Sequence, residues 1–191
     1  VMAGMETSKD VQFRAVFLVT QASLLRAEGR YAEALAAAEE AFATRTEFGV
    51  RASHVKEALV EAVEAAFALG DLGKVEELLG VIEGLRPGEL TPYVQAQGAR
   101  FGAKLAAARG DTDRVEPGFE AAARQFADLS MPFARAVTLL EHGEWLISDD
   151  RSSEAEPMFE QARATFEELR AAPWIERLDR VAPTVTAEVS S

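Results

Sequence analysis

Glu116-Pro117-Gly118-Phe119-Glu120-Ala121-Ala122 returns forty residues later as Glu156-Pro157-Met158-Phe159-Glu160-Gln161-Ala162. A period of that size is the signature of a helical array, in which each repeat is one supersecondary unit that buries its apolar face only against its neighbours. One step back, Gly110-Asp111-Thr112-Asp113-Arg114-Val115-Glu116 matches Gly70-Asp71-Leu72-Gly73-Lys74-Val75-Glu76. One step further, Glu28-Gly29-Arg30-Tyr31 falls into the same register. The repeats therefore predict an all-α fold of four helix pairs.

Working outward, the span from about Lys9 to Glu28 contains neither Gly nor Pro and predicts a long first helix ended by Gly29. Its apolar residues, among them Val11, Phe13, Val16, Phe17, Leu18 and Val19, cover more than one stripe, as expected of a helix buried on two sides. Tyr31 to about Thr46 forms its partner, with Tyr31, Leu35, Ala38 and Phe42 at helical spacing. Ser53 is placed to cap a helix running to Leu69, stopped by Gly70, and Leu72 to about Leu85 pairs with it. Thr91-Pro92 starts a helix reaching about Arg109, whose Gly98, Ala99, Gly102, Ala103 and Ala106 offer a small face for close helix approach. Asp113 with Glu116, and Ser153 with Glu156, have capping-box spacing, which would set Pro117 and Pro157 in first turns. Met131-Pro132 opens a helix ending near Ser148. Ala172-Pro173-Trp174 starts a last one to about Val181, with Trp174 expected to cap the array near Phe166 and Leu169. Residues 1–182 are thus read as one array and 183–191 as a disordered polar tail.

Composition limits the chemistry. With 48% hydrophobic residues the chain can bury a sizeable core. Its 20 Lys and Arg against 32 Asp and Glu leave a formal charge of −12, which repels phosphate backbones and anionic lipid, so neither nucleic acid nor membrane is an expected partner. The longest apolar run, Ala15 to Val19, is far short of a membrane span. There is no cysteine, hence no disulfide and no thiolate metal site, in keeping with a cytoplasmic setting. The first residues lack the pattern of a secretory signal and read as a cut inside a longer protein.

Aligned on Gly29, Gly70, Gly110 and Asp150, the pairs resemble tetratricopeptide repeats. Ala22, Leu25, Gly29, Tyr31, Ala34 and Ala41 match that pattern best. In later units Leu72 and Thr112 replace the tyrosine, Val75 and Val115 the alanine, and Asp150 the glycine. The stretch Thr138-Leu139-Leu140-Glu141-His142-Gly143-Glu144-Trp145-Leu146, with Glu156-Pro157, Phe166-Glu167-Glu168-Leu169 and Ala172-Pro173-Trp174-Ile175-Glu176-Arg177, is similar to the C-terminal end of actinobacterial signalling proteins. Those carry a class III adenylate or guanylate cyclase domain and an AAA-type ATPase domain. LuxR-type regulators have similar repeats, but they usually end in a basic helix-turn-helix. Here the chain ends in Thr186-Ala187-Glu188-Val189-Ser190-Ser191.

The resemblance implies a tetratricopeptide-like helical-hairpin solenoid, an α–α superhelix with a C-terminal capping helix, whose first helices line a concave groove. It places Arg26, Glu64, Phe67, Arg100, Lys104 and Glu144 in that groove. Arg100 and Lys104, one turn apart, form a basic spot that either holds a partner's carboxylate or pairs with nearby glutamates. His54 and His142 have no metal-ligand spacing around them, and carboxylate runs such as Glu167-Glu168 read as solvated helix faces. His142 is expected as a hydrogen-bonded, partly buried ring. No phosphate loop and no cyclase or ATPase motif occurs, so the expectation is a non-catalytic module without metal or cofactor. Its expected partner is a protein or peptide, including the parent protein's own upstream domains, and the alternative is a sensor holding a small ligand in the groove. Val11, Phe13 and Phe17, on a side the partner helix cannot reach, suggest a homodimer through the first helix.

Overall fold

The computed structural model describes the backbone of residues 11–188 and the side chains of residues 11–182. Every regular element among them is helical: α1 Val11–Ala27, α2 Tyr31–Ala43, a single turn α3 Arg45–Phe48, α4 Ser53–Leu69, α5 Leu72–Glu83, α6 Pro92–Arg109, α7 Thr112–Asp128, α8 Pro132–Ser148, α9 Ser152–Glu168 and α10 Ala172–Glu188. No described helix is long and apolar enough to cross a membrane. The chain divides into two compact units, with the boundary between Val94 and Gln95 inside α6.

One turn closes helix after helix. Gly29, Gly70 and Gly110 take left-handed φ values of 77°, 72° and 74°, and the non-glycine residues Ser130, Asp150 and Arg170 do the same at 54°, 59° and 53°. From Gly110 onward these residues are spaced twenty apart. At each, the next amide donates back to a carbonyl five positions earlier: Arg30 to Leu25, Asp71 to Ala66, Asp111 to Ala106, Met131 to Phe126, Arg151 to Leu146 and Ala171 to Phe166, at 2.8–3.0 Å. This is the Schellman arrangement, which satisfies carbonyls that a helix end would otherwise leave open. All six accepting residues have buried side chains, so the turn also sends the chain back across the core.

The turns explain where the helices begin. The residue after each left-handed position already acts as N-cap, so α7 and α9 start at Thr112 and Ser152. Asp113 and Ser153 therefore lie in the first helical turn, with no capping role. Pro117 and Pro157 fall inside the helices, two residues deeper than their spacing suggested. Ser53 is likewise the first helical residue after the N-cap Ala52. Thr91 does cap, accepting from the Val94 amide at 3.3 Å, and Asp71 accepts from the Lys74 amide at 2.9 Å.

In the first unit, α1 packs on α2, and α4 packs on both. Ala15, Phe17, Leu18, Ala22 and Leu25 are buried with Ala34, Ala38, Ala41 and Phe42 of α2 and Val55, Ala62, Val63 and Ala66 of α4. Phe17 is 8% exposed, which corrects its placement on an uncovered face. Phe13 at 58% and Val11 at 42% do lie outward. Lys9 and Asp10, assigned to the first helix from sequence, lie outside the described residues.

In the second unit, Ala103 and Ala106 of α6 pack on Val115 and Phe119 of α7. A second cluster joins Ala136, Val137, Leu140 and Leu146 of α8 to Ala155, Phe159, Ala162 and Phe166 of α9 and Leu178 of α10. The repeated Phe119 and Phe159 are thus equivalent core anchors. Trp174 is half-buried and stacks on Phe166 at 5.7 Å, with Phe133 edge-on at 5.6 Å. Leu169, the other expected neighbour, is 47% exposed, because it forms the C-cap just before left-handed Arg170. The last helix runs past the expected stop at Val181, its backbone helical through Pro183 to Glu188. Residues 189–191 of the expected tail lie outside the described set.

Two glycines separate packing from propensity. A Cβ on Gly143 would stand 2.4 Å from Phe159 Cε1, whereas one on Gly102 would meet nothing within 4 Å. Gly143→Ala is expected to destabilise by roughly 1–3 kcal/mol through overpacking. Gly102→Ala is expected to stabilise by up to about 1 kcal/mol through helix propensity. Urea unfolding of the two variants reads both signs.

Candidate functional site

On α6 and α8 of the second unit, a buried carboxylate collects two cations. Arg100 Nε and Nη2 each donate to Glu141 at 2.6 Å, and Lys104 Nζ donates to the same carboxylate at 2.7 Å. Gln97 Oε1 accepts from Arg100 Nη1 at 3.3 Å. Arg100, Glu141 and Gln97 are nearly inaccessible, and the Arg100 guanidinium lies 4.7 Å from the Phe101 ring centroid. The bidentate fork suits a planar guanidinium and carboxylate held in one geometry. The basic spot read from sequence is therefore turned inward onto the chain's own Glu141, the pairing alternative weighed above.

The same logic recurs at other helix contacts. Glu144, one turn beyond Glu141, accepts from Arg177 Nε and Nη2 at 2.8 and 2.6 Å. In the first unit Arg26 donates to Glu61 at 2.8 Å, while Glu64 and Phe67, on the following turns of α4, are half-buried. Second helices pair too: Lys74 reaches Glu39 of α2 at 3.0 Å, and Arg151 reaches Glu116 of α7 at 2.7 Å. Each joins a side chain of one pair to the next element of its unit, fixing which faces meet more than adding stability. Glu61, Glu141 and Arg177 carried no sequence signal as partners, because their pairing depends on which helix faces are brought together.

A concave feature of the second unit lies at the α7 and α8–α9 end. An open depression of about 510 Å³ is lined by Thr112, Asp113, Glu116, Pro117 and Glu120 of α7, Trp145 of α8, and Asp149 and Arg151 of the following turn. Asp113, Glu116 and Glu120 sit at helical spacing on one face of α7. The lining thus holds four carboxylates and one guanidinium. Arg151 donates to Glu154 at 2.7 and 2.8 Å and to Glu116 at 2.7 Å, and its guanidinium carbon lies 5.7 Å from the Trp145 ring centroid. The hydrogen bonds that Arg151 donates to Glu154 and then Glu116 raise its pKa, and the one to Glu154 lowers that of Glu154.

Behind this wall lies His142. Its ring is stacked between Phe119 at 5.2 Å and Trp145 at 6.0 Å and is 3% exposed. Nε2 has no hydrogen-bond partner among the described residues. The sequence placed this ring as partly buried and hydrogen-bonded. The ring is more deeply buried than that, and its two stacked aromatic neighbours offer Nε2 no acceptor or donor. Desolvation lowers its pKa, opposed by the charges of Glu116 and Glu120. His54 is buried against Phe48, also with Nε2 unpaired. Among the described residues, no three His, Cys, Asp or Glu side chains are grouped to hold a metal ion.

The chain matches no protein-family model and no curated protein.

Burial of His142 sets a pH dependence. The unfolded chain binds a proton near the ordinary value of 6.5, while the folded ring resists it to lower pH. Between these values the unfolded state holds more protons, so stability rises with pH. This group's contribution is complete above about pH 7 and is lost as pH falls from the unfolded value through the folded one, at up to about 1.4 kcal/mol per pH unit. Urea unfolding at pH 8 to 5 is expected to show that slope in the parent chain and a smaller one in His142→Phe.

Proposed function

We propose that this chain is a non-catalytic protein-interaction module, built as a tetratricopeptide-like array of helix pairs with α10 as its cap. The observation that carries the reading is the recurrence of one left-handed turn at twenty-residue spacing from Gly110 to Arg170. A chain that repeats one helix-turn unit presents a row of equivalent surfaces, the property that repeat arrays use to hold partners. The polar side chains agree with it. Arg26, Arg100, Lys104 and Glu144, chosen from sequence as binding positions, are engaged in interhelical pairs, which is the work of shaping a scaffold.

The resemblance of the last third extends the proposal to a setting. The chain is the C-terminal part of a cytoplasmic signalling protein of the cyclase–ATPase type, and its partner is a protein or peptide, the parent's upstream domains included. A second copy docking through α1, where Phe13 and Val11 lie outward, belongs to the same class of partner. The test is affinity capture with the purified chain followed by reconstitution. A captured protein, purified separately, is expected to rebind saturably, with neither partner chemically altered. A concentration-dependent rise in Tm with one small metabolite, and no protein that rebinds, overturns the proposal in favour of a sensor domain.

A further inference from the structure

The outward stripe of α1 is laid out symmetrically about Thr20. Val16, Thr20 and Leu24 follow one another a turn apart, Phe13 and Ala27 stand two turns before and after Thr20, and Ser23 lies at the edge; all six are exposed. Phe13 is 58%, Val16 41% and Leu24 54% open to solvent. We propose that this stripe pairs with the α1 stripe of a second copy of the chain, antiparallel about a two-fold axis through Thr20, an inference that rests on the interaction-module reading and names one partner within it.

The spacing selects the register. An axis at Thr20 sets residues equally far before and after it opposite one another, because a two-fold interface uses the same patch of both copies. Val16 then meets the second copy's Leu24, and Phe13 meets its Ala27. The largest side chain of the stripe falls against the smallest, and the two branched aliphatic ones fall against each other, so one sequence supplies both protrusion and gap. On the axis, Thr20 Oγ1 donates to the Val16 carbonyl at 3.0 Å. Its hydroxyl hydrogen is thus satisfied within the helix and asks no acceptor of the second copy.

Charge selects the occupant. α1 contains no acidic residue, and its two arginines are held at the flanks, Arg14 by Glu40 of α2 at 2.6 Å and Arg26 by Glu61 of α4 at 2.8 Å. The stripe between them is neutral. Two chains of formal charge −12 repel one another, and along this stripe they approach without setting carboxylate against carboxylate. A basic partner is drawn instead to the acidic faces, whereas a second copy gains the burial of its own apolar stripe.

Length sets the strength. The 17 residues of α1 rise about 25 Å, and one helix face of that length offers less than the ~800 Å² per partner of a standard interface. The dimer is therefore weak and reversible. Apolar burial here works against like-charge repulsion, so association tightens as salt screens the charge.

The test is sedimentation equilibrium of the full chain from about 1 to about 200 μM. A monomer–dimer equilibrium is expected, with Kd on the order of tens of micromolar and several-fold tighter in about 0.5 M than in about 0.02 M NaCl. Leu24→Glu sets a carboxylate opposite Val16 at both ends of the pair and is expected to raise Kd at least about tenfold. Leu69→Glu makes the same change at another exposed leucine of the first unit and is expected to move Kd by less than about twofold. Circular dichroism and Tm check that both variants fold. The chain has no cysteine, so single thiols report the register to a short bismaleimide. Thr20→Cys is expected to cross-link to itself, whereas Val16→Cys and Leu24→Cys cross-link to each other when mixed and poorly alone. A strict monomer over that range, a Kd moved equally by both glutamate variants, or Val16→Cys and Leu24→Cys each cross-linking to itself as readily as to the other overturns the proposal. None of these outcomes touches the module reading, which is tested by rebinding of a captured protein.

Discussion

Everything in this chain hangs on a helix end that closes by a left-handed residue and a hydrogen bond reaching five positions back. That bond satisfies a carbonyl belonging to a buried residue, so helix end and core are specified by the same few atoms. Glycine meets the requirement without strain at 29, 70 and 110. Ser130, Asp150 and Arg170 meet it at a cost of roughly 1–2 kcal/mol each, which the packing of Phe126, Leu146 and Phe166 just before them offsets. The turn tolerates different residues because the core on its near side demands the reversal.

Given those reversals, the helix contacts need a means of choosing one another. Small residues supply closeness: Gly143 accepts the Phe159 ring, and Gly118 lies against Ala103 and Ala99. Charged residues supply identity. Glu141 with Arg100 and Lys104, Glu144 with Arg177, and Arg26 with Glu61 couple helices that are distant in sequence. A buried carboxylate without its cations is costly, so a slipped contact is penalised more than a correct one is rewarded. Asp113 and Glu120 on α7 obey the other rule, standing at the surface where water solvates them.

The residues chosen from sequence as partner-binding were chosen for their position in a repeat, and four of the six, Arg26, Arg100, Lys104 and Glu144, pair within their unit. Repeat register says which turn of a helix a residue occupies. It does not say whether the facing helix brings a glutamate to meet it, as Glu141 meets Arg100 across forty-one positions. The acidic face of α7 was legible in the spacing of Asp113, Glu116 and Glu120. The depression beside it was not, because that exists only where Trp145 and Arg151 come round from α8 and the turn beyond it.

What the sequence determined alone is the local order of the described residues: nine of the helices and their approximate ends, though not the single turn Arg45–Phe48, glycine stops at 29, 70 and 110, and phenylalanine anchors at 119 and 159. These depend on interactions within a turn or two of chain, so propensity and period suffice to read them. The tertiary structure decided the rest. It displaced the starts of α7 and α9 from their capping-box residues, made Ser130 and Arg170 into left-handed stops, and buried His142 between two aromatic rings. It also turned a basic spot into an internal ion pair. The last two depend on groups more than twenty residues away, Phe119 for His142 and Glu141 for Arg100, whose free energy outweighs the local preference of any single residue.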